Sequence, residues 1–248
     1  MTDTKNATAP AHSESETPQK VAVITGATGG MGREIIEDLA RDHHVYALGR
    51  RAEELPEAAN ITPVALDLLE LLDPETALPE PLQALDRVDV LVHAAARADK
   101  HSIESARPQD WQAQMDLNVH VPAELSRRLL PQLRAADGEG LVVFINSGAG
   151  IHSYGDNVIY AATKHALYAL ADGLRLSELG IRVSTVAPGP TDTPMLQGLQ
   201  DYDPAHVIAP VEVANAIRAA VDAGSTTQLT EIRVRPRVEL AQRKNLKK

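Results

Sequence analysis

Short apolar runs recur along this chain: Val21–Ile24, Val45–Leu48, Val64–Leu66, Val88–Val92, Leu141–Ile145 and Ile181–Val186, with a weaker one at Glu231–Val234. They lack the polar alternation of half-exposed strands, as expected of strands buried on both faces. Between most of them the spacing turns helical. Ile35, Ile36, Leu39 and Ala40 repeat on one face, and the clearest helical stretches are 108–136, 157–179 and 211–223. Strands alternating with helices of this length predict βαβ units. The expected fold is a single-domain, doubly wound α/β architecture, with a seven-stranded parallel sheet and helices on both faces. No linker or repeat interrupts the pattern, so the domain is placed at 20–236.

The ends read differently. Residues 1–19 are rich in Thr, Ser, Ala, Pro and Glu, without the apolar core of a secretory signal, and read as a disordered extension. Residues 237–248 form a basic tail. From Ile232 to Lys248 there are seven Lys/Arg and one acid, whereas the 248-residue chain has a net charge of −10. That acidic bulk argues against nucleic acid as a partner. No apolar run is long enough to span a bilayer. The absence of Cys excludes disulfides, thiolate zinc sites, iron–sulfur clusters and a Cys nucleophile, and fits a cytoplasmic location. The histidines show no zinc-type spacing, so no metal is expected.

The candidate chemistry begins at the first strand, which runs into Thr25-Gly26-x3-Gly30-x-Gly32 and then a helix. Glycines there allow positive φ and close approach of backbone to a pyrophosphate, and the helix N-terminus offers free N–H groups. A dinucleotide at such a turn is also read at the end of the second strand. An acid there suits NAD, and an arginine suits the 2′-phosphate of NADP. The chain has Gly49-Arg50-Arg51, which favours NADP(H), with NAD(H) possible. Asp67 follows the third strand and has two readings: a contact to adenine, or a turn-forming Asp bonded to its own backbone.

A second constellation is Ser147-x12-Tyr160-x3-Lys164, with the serine at a strand end and the other two inside a helical run. Residues i and i+4 share a helix face. A free phenol has a pKa of about 10, and a neighbouring ammonium favours the phenolate. A tyrosine tuned this way can exchange a proton with an alcohol or carbonyl oxygen, while a serine hydroxyl bonds the same oxygen.

Taken together, the glycine turn, Asn118, Ser147, Tyr160-x3-Lys164 and Pro188-Gly189-x3-Thr193 resemble the short-chain dehydrogenase/reductase family over about residues 20–235. The resemblance implies a Rossmann-type fold, an NAD(P) cofactor and reversible alcohol–carbonyl interconversion. By motif match, Tyr160 resembles the general acid/base, and Lys164 the lysine that lowers its pKa and bonds the nicotinamide ribose. Ser147 resembles the residue holding the substrate oxygen, and Asn118 the asparagine supporting a proton-relay water. Gly26, Thr28, Gly30, Met31, Gly32, Arg50, Asp67, Ala94, Ala95, Pro188, Gly189, Thr191 and Thr193 fall at cofactor-binding positions, beside Tyr160 and Lys164 themselves. The chain departs from the family's Asn-Asn-Ala-Gly with His93-Ala94-Ala95-Ala96, and it lacks the family's Gly-Gly ending. His93 reads as a hydrogen-bonded strand-end residue.

His152, Tyr154 and Met195 are expected to line the substrate pocket. The stretch from Thr193 to Pro210, a mobile lid in relatives, is short and suits a small ketone, aldehyde or alcohol. No Arg or Lys cluster converges there in the sequence, so a strongly anionic substrate is not expected. The resemblance also implies a homo-oligomer, dimer or tetramer. The alternative function is a non-catalytic NADP-binding sensor on the same fold.

Overall fold

The computed structural model of the chain describes residues 19–238. The expected N-terminal extension and most of the basic tail lie outside the described residues. Seven strands form one parallel sheet: β1 (Lys20–Thr25), β2 (His43–Gly49), β3 (Ile61–Ala65), β4 (Val90–His93), β5 (Leu141–Ile145), β6 (Arg182–Pro188) and β7 (Glu231–Val234). Their order is β3-β2-β1-β4-β5-β6-β7. The order reverses between β1 and β4, and ligands bind such sheets at the carboxyl ends of the strands beside that reversal.

The helices are α1 (Gly30–Leu39), α2 (Glu80–Gln83), α3 (Pro108–Met115), α4 (Val121–Arg134), α5 (Val158–Ser177), α6 (Pro194–Leu199) and α7 (Pro210–Val221). The pleat sends successive strand residues to opposite faces. Ala22 and Ile24 of β1 pack with Ile35, Ile36 and Leu39 of α1 and with Val213 and Ile217 of α7. Val23 packs on the other face with Leu125, Leu129 and Leu133 of α4 and Leu167 of α5. Each fully buried Leu or Ile contributes about 1.5–3 kcal/mol. The doubly covered parallel sheet is therefore present as expected. Among the described residues no helix is long and apolar enough to cross a membrane.

Two elements differ from the sequence pattern. β3 starts at Ile61 and contains Pro63, which apolar-run reading passes over. Pro63 is tolerated because β3 is an edge strand and needs to offer hydrogen bonds on one side only. The helix expected over 108–136 is interrupted by a π turn at Asp116–His120, in which Val121 N–H reaches Asp116 O. Pro122 follows directly, at the start of α4, and offers no N–H to the Asn118 carbonyl.

Candidate active site

β1 ends in a turn that only glycine fits. Gly26 has φ +73°, and a Cβ there would lie 2.7 Å from Ala95 N. A Cβ on Gly32 would lie 2.2 Å from Gly26 O, so the start of α1 packs directly on the turn. The turn is braced from β4: Ala94 N–H and Ala95 N–H both donate to Thr25 Oγ1 at 3.2 Å. Thr25 is buried. Gly30 faces Thr193, whose Cγ2 would be 3.0 Å from an added Cβ. The cradle these residues form, open backbone at a helix N-terminus, fits a pyrophosphate.

At the end of β2, Arg50 is exposed, while Arg51 is ion-paired with Glu54 at 3.6 Å. Asp67 accepts from Leu69 N–H at 3.1 Å, so its turn-forming role is present.

His93 is buried, stacks on Phe144 with ring centroids 5.0 Å apart, and hydrogen-bonds through Nε2 with Ser126 Oγ at 2.8 Å. Burial pushes its pKa down to about 3. The unfolded chain binds a proton here near pH 6.5 and the folded chain does not, so folding stability falls as pH drops from about 6.5 towards 3. In His93→Asn the urea midpoint should decline less steeply between pH 7 and pH 4 than in the wild type. Identical slopes would contradict the assignment.

The catalytic candidates meet at the ends of β5 and β6. The buried Lys164 donates from Nζ to Ile145 O at 2.8 Å, and Asn146 Nδ2 donates to Lys164 O at 3.1 Å. These bonds tie α5 to β5 just before Ser147. Ala149 N–H donates to Ser147 Oγ at 3.1 Å. Tyr160 is half-buried, with Lys164 Nζ 5.5 Å from its ring centroid. Asn118 supports this helix from the π turn. It exchanges hydrogen bonds with the Arg97 backbone at 2.8 Å and donates to Thr163 Oγ1 at 3.1 Å, and Thr163 in turn donates to Tyr160 O at 2.8 Å. Asn118's bonds are therefore long-range rather than local to its helix. Asn146 and Thr163 carry no signal in the sequence by which to find them.

The electrostatics differ from the sequence expectation. Burial pushes Tyr160 up to about 12, against the opposing pull of its hydrogen bond with Ser147. Burial pushes Lys164 down to about 7. With these protein groups alone the phenol stays protonated at neutral pH. Desolvation is the dominant influence on both side chains.

A cavity of about 460 Å³ joins the two halves of the site. Ser147 and Tyr160 line it, as do Met31 from the glycine turn and Pro188, Gly189, Thr191 and Thr193 after β6. Tyr154 and Met195 line it too. His152 does not: it is exposed and borders a smaller neighbouring cavity with Arg233 and Arg235. Thr193 caps α6 by accepting from Leu196 N–H at 3.3 Å, which seats this short helix over the cavity.

Two basic residues reach this cavity without forming a cluster, one of them, Lys100, paired with Asp156 at 3.5 Å. Lys100 and Arg235 both line the cavity. They are distant in sequence, and Arg235 arrives because β7 pairs with β6, setting Val234 beside Pro188.

Residues 20–203 match the model of the short chain dehydrogenase family. The chain is 47% identical to a short-chain dehydrogenase/reductase from Corynebacterium glutamicum whose structure is solved, over 88% of this chain and all of that one, with a TM-score of 0.67. It is 30% identical to an uncharacterised short-chain type dehydrogenase/reductase of Sinorhizobium fredii, over 88% of this chain and 91% of the relative. The 3-ketoacyl-(acyl-carrier-protein) reductase from Brucella melitensis, solved with NADH, shares the fold at 22% identity and a TM-score of 0.77, over 87% of this chain and 96% of that one. The chain thus belongs to the short-chain dehydrogenase/reductase family and is an NAD(P)-dependent oxidoreductase.

Proposed function

We propose that the protein interconverts a small ketone or aldehyde and the corresponding alcohol, prefers NADP(H), and uses Tyr160 as general acid/base. The observation that carries this reading is one cavity lined by both Tyr160 and Ser147 and by residues of the cofactor-binding turns, Met31, Gly189 and Thr193. Gly26, Gly30, Gly32 and Thr28 would hold the pyrophosphate, Ala94 and Ala95 would leave room for the adenosine half with Asp67 beside it, and Arg50 would meet the 2′-phosphate. Pro188, Gly189, Thr191 and Thr193 would flank the nicotinamide, which when bound supplies or takes the hydride.

In the reducing direction Tyr160 donates its phenolic proton to the carbonyl oxygen as the carbonyl carbon gains hydride. Ser147 donates a hydrogen bond to the same oxygen and so stabilises the charge that develops on it. Tyr160, left as phenolate, must then regain a proton, and a Lys164 ammonium beside its ring favours the phenolate in the interval. Oxidation reverses each step, with the alcohol proton passing to Tyr160. Asn118 acts by holding the Arg97 segment and Thr163 in place beneath Tyr160.

Cofactor choice is separately testable. Arg50→Ala should weaken NADPH binding about tenfold or more and leave NADH nearly unchanged, as measured by calorimetric titration. Equal losses for the two cofactors would contradict the 2′-phosphate role. A homo-oligomer, dimer or tetramer, is part of the same reading, checked by light scattering.

A further inference from the structure

Met195, Leu196 and Leu199 lie on α6, a helix with no fully buried residue. Among the described residues none of the three belongs to the hydrophobic core on either face of the sheet. All three line the catalytic cavity instead, whereas Gln197 and Gly198 between them are exposed and do not line it. Positions three and four apart share a helix face, so Leu199 stands beside both Met195 and Leu196.

α6 is fixed in this orientation from both sides. A Cβ on Gly30 would lie 3.0 Å from Thr193 Cγ2 and 3.3 Å from Pro194 Cδ, so the helix starts directly against the glycine turn. Beyond its other end, Ile208 N–H donates to Pro190 O and Asp192 N–H donates to Ile208 O, both at 2.9 Å. The segment that carries α6 thus closes on itself. Its apolar face is held in the cavity that Ser147 and Tyr160 share. Ala98, Ala149 and Tyr154 line the same cavity. The charged residues of the lining, Lys100, Asp156 and Arg235, are all exposed. Lys100 pairs with Asp156 at 3.5 Å, and Arg235 has an interaction within the chain. None of the three is a buried charge that requires a counter-ion from a ligand.

We propose that the preferred substrate is a ketone carrying a short, uncharged aliphatic chain, or the corresponding secondary alcohol, and that Met195, Leu196 and Leu199 select it by covering that chain. This rests on the reading of Tyr160 and Ser147 given above. Apolar side chains facing a cavity gain by being removed from water, and an apolar chain removes them without stranding a polar group. The cavity of about 460 Å³ is of small-molecule size and must also admit the nicotinamide end of the cofactor, so the chain is short. The competing occupant is a hydroxylated chain, to which Asn157 and Gln200 on the lining offer amides.

The test follows NADPH oxidation with methyl ketones bearing ethyl, propyl, butyl and pentyl chains. A hydroxyketone, in which hydroxyl replaces the terminal methyl of the butyl chain, provides the polar arm. In the wild type kcat/KM should rise about two- to fourfold with each methylene from the ethyl to the butyl ketone. The butyl ketone should exceed its hydroxyl analogue about tenfold or more. In Leu199→Ser the ratio of butyl to ethyl ketone should fall to within about twofold of unity. That ratio is internal to the folded protein, Leu196→Ser gives a second reading of it, and the wild-type series stands without either variant. A flat series or a preference for the hydroxyketone would overturn the proposal and leave the Tyr160 reading in place. A steep series that both variants leave unchanged would do the same. Saturation-transfer NMR of these ketones on the NADP⁺ complex, which has no hydride to give, measures binding apart from turnover. Binding that strengthens with chain length, without turnover on NADPH, would uphold selection by α6 and defeat the catalytic reading. Binding and turnover both indifferent to chain length would overturn the proposal.

Discussion

Replacing Tyr160 with Phe should lower kcat/KM for carbonyl reduction about 10²–10⁴-fold and leave NADPH affinity within about twofold. The change removes one hydroxyl and nothing else. Phe keeps the ring that packs near Lys164 Nζ, and the contacts that hold the segment in place run through main-chain atoms and neighbours: Tyr160 O to Thr163, Lys164 Nζ to Ile145 O. The lost quantity is proton transfer at the substrate oxygen, which general acid–base catalysis makes worth that range. Each tenfold corresponds to about 1.4 kcal/mol in the barrier. Equal rates in the two proteins, with cofactor binding intact, would remove Tyr160 from the chemistry. Because burial holds the phenol at about 12, the wild type enters the reducing direction already carrying the proton it must give.

Gly32→Ala should have the other large effect, on cofactor binding and stability together. The new Cβ would sit 2.2 Å from Gly26 O, 3.0 Å from Gly26 C and 3.1 Å from Ala27 O. All three neighbours are backbone, so no rotamer change relieves the clash. The turn must move, and that turn is the proposed pyrophosphate cradle. Overpacking of this kind costs about 1–3 kcal/mol, which for a domain of this size lowers Tm by a few degrees per kcal/mol. NADPH affinity should fall by about tenfold or more. Gly173→Ala is the matched control. It lies within α5, nothing stands within 4 Å of its added Cβ, and alanine there should raise stability by about 0.5–1 kcal/mol. Thermal denaturation and titration of both variants check the pair. A Gly32→Ala protein that binds NADPH as well as the wild type would contradict the cradle.

Most of the sheet was legible because buried parallel strands are written as unbroken apolar runs, and because the glycine turn and the Tyr160–Lys164 spacing are local signals. What escaped depends on distance in sequence. Thr25 braces the turn through Ala94 and Ala95, from the loop after another strand. Asn118 reaches Thr163 across 45 positions of sequence, from a π turn that the helical spacing does not announce. The fate of Lys164 is set by burial and by a bond to Ile145 O, neither of which i+4 spacing reveals. Arg235 had one usable signal: a residue just past a strand's carboxyl end lies at the sheet edge where ligands bind. Its partner strand, β6, was needed to say which part of that edge. His152 failed for the converse reason, since nearness in sequence to Ser147 did not place it in the same cavity.

The central claim is that this cavity carries out hydride exchange between NADPH and a small carbonyl compound. Its most direct test follows the nicotinamide absorbance of NADPH on mixing the wild-type protein with a panel of small ketones, aldehydes and oxo acids. Carbonyl-dependent oxidation of NADPH, with one equivalent of alcohol formed per equivalent oxidised and a higher kcat/KM than with NADH, is the expected result. Tight NADPH binding with no turnover on any member of the panel, or of the corresponding alcohols with NADP⁺, would contradict it and mark the protein as a cofactor-binding sensor.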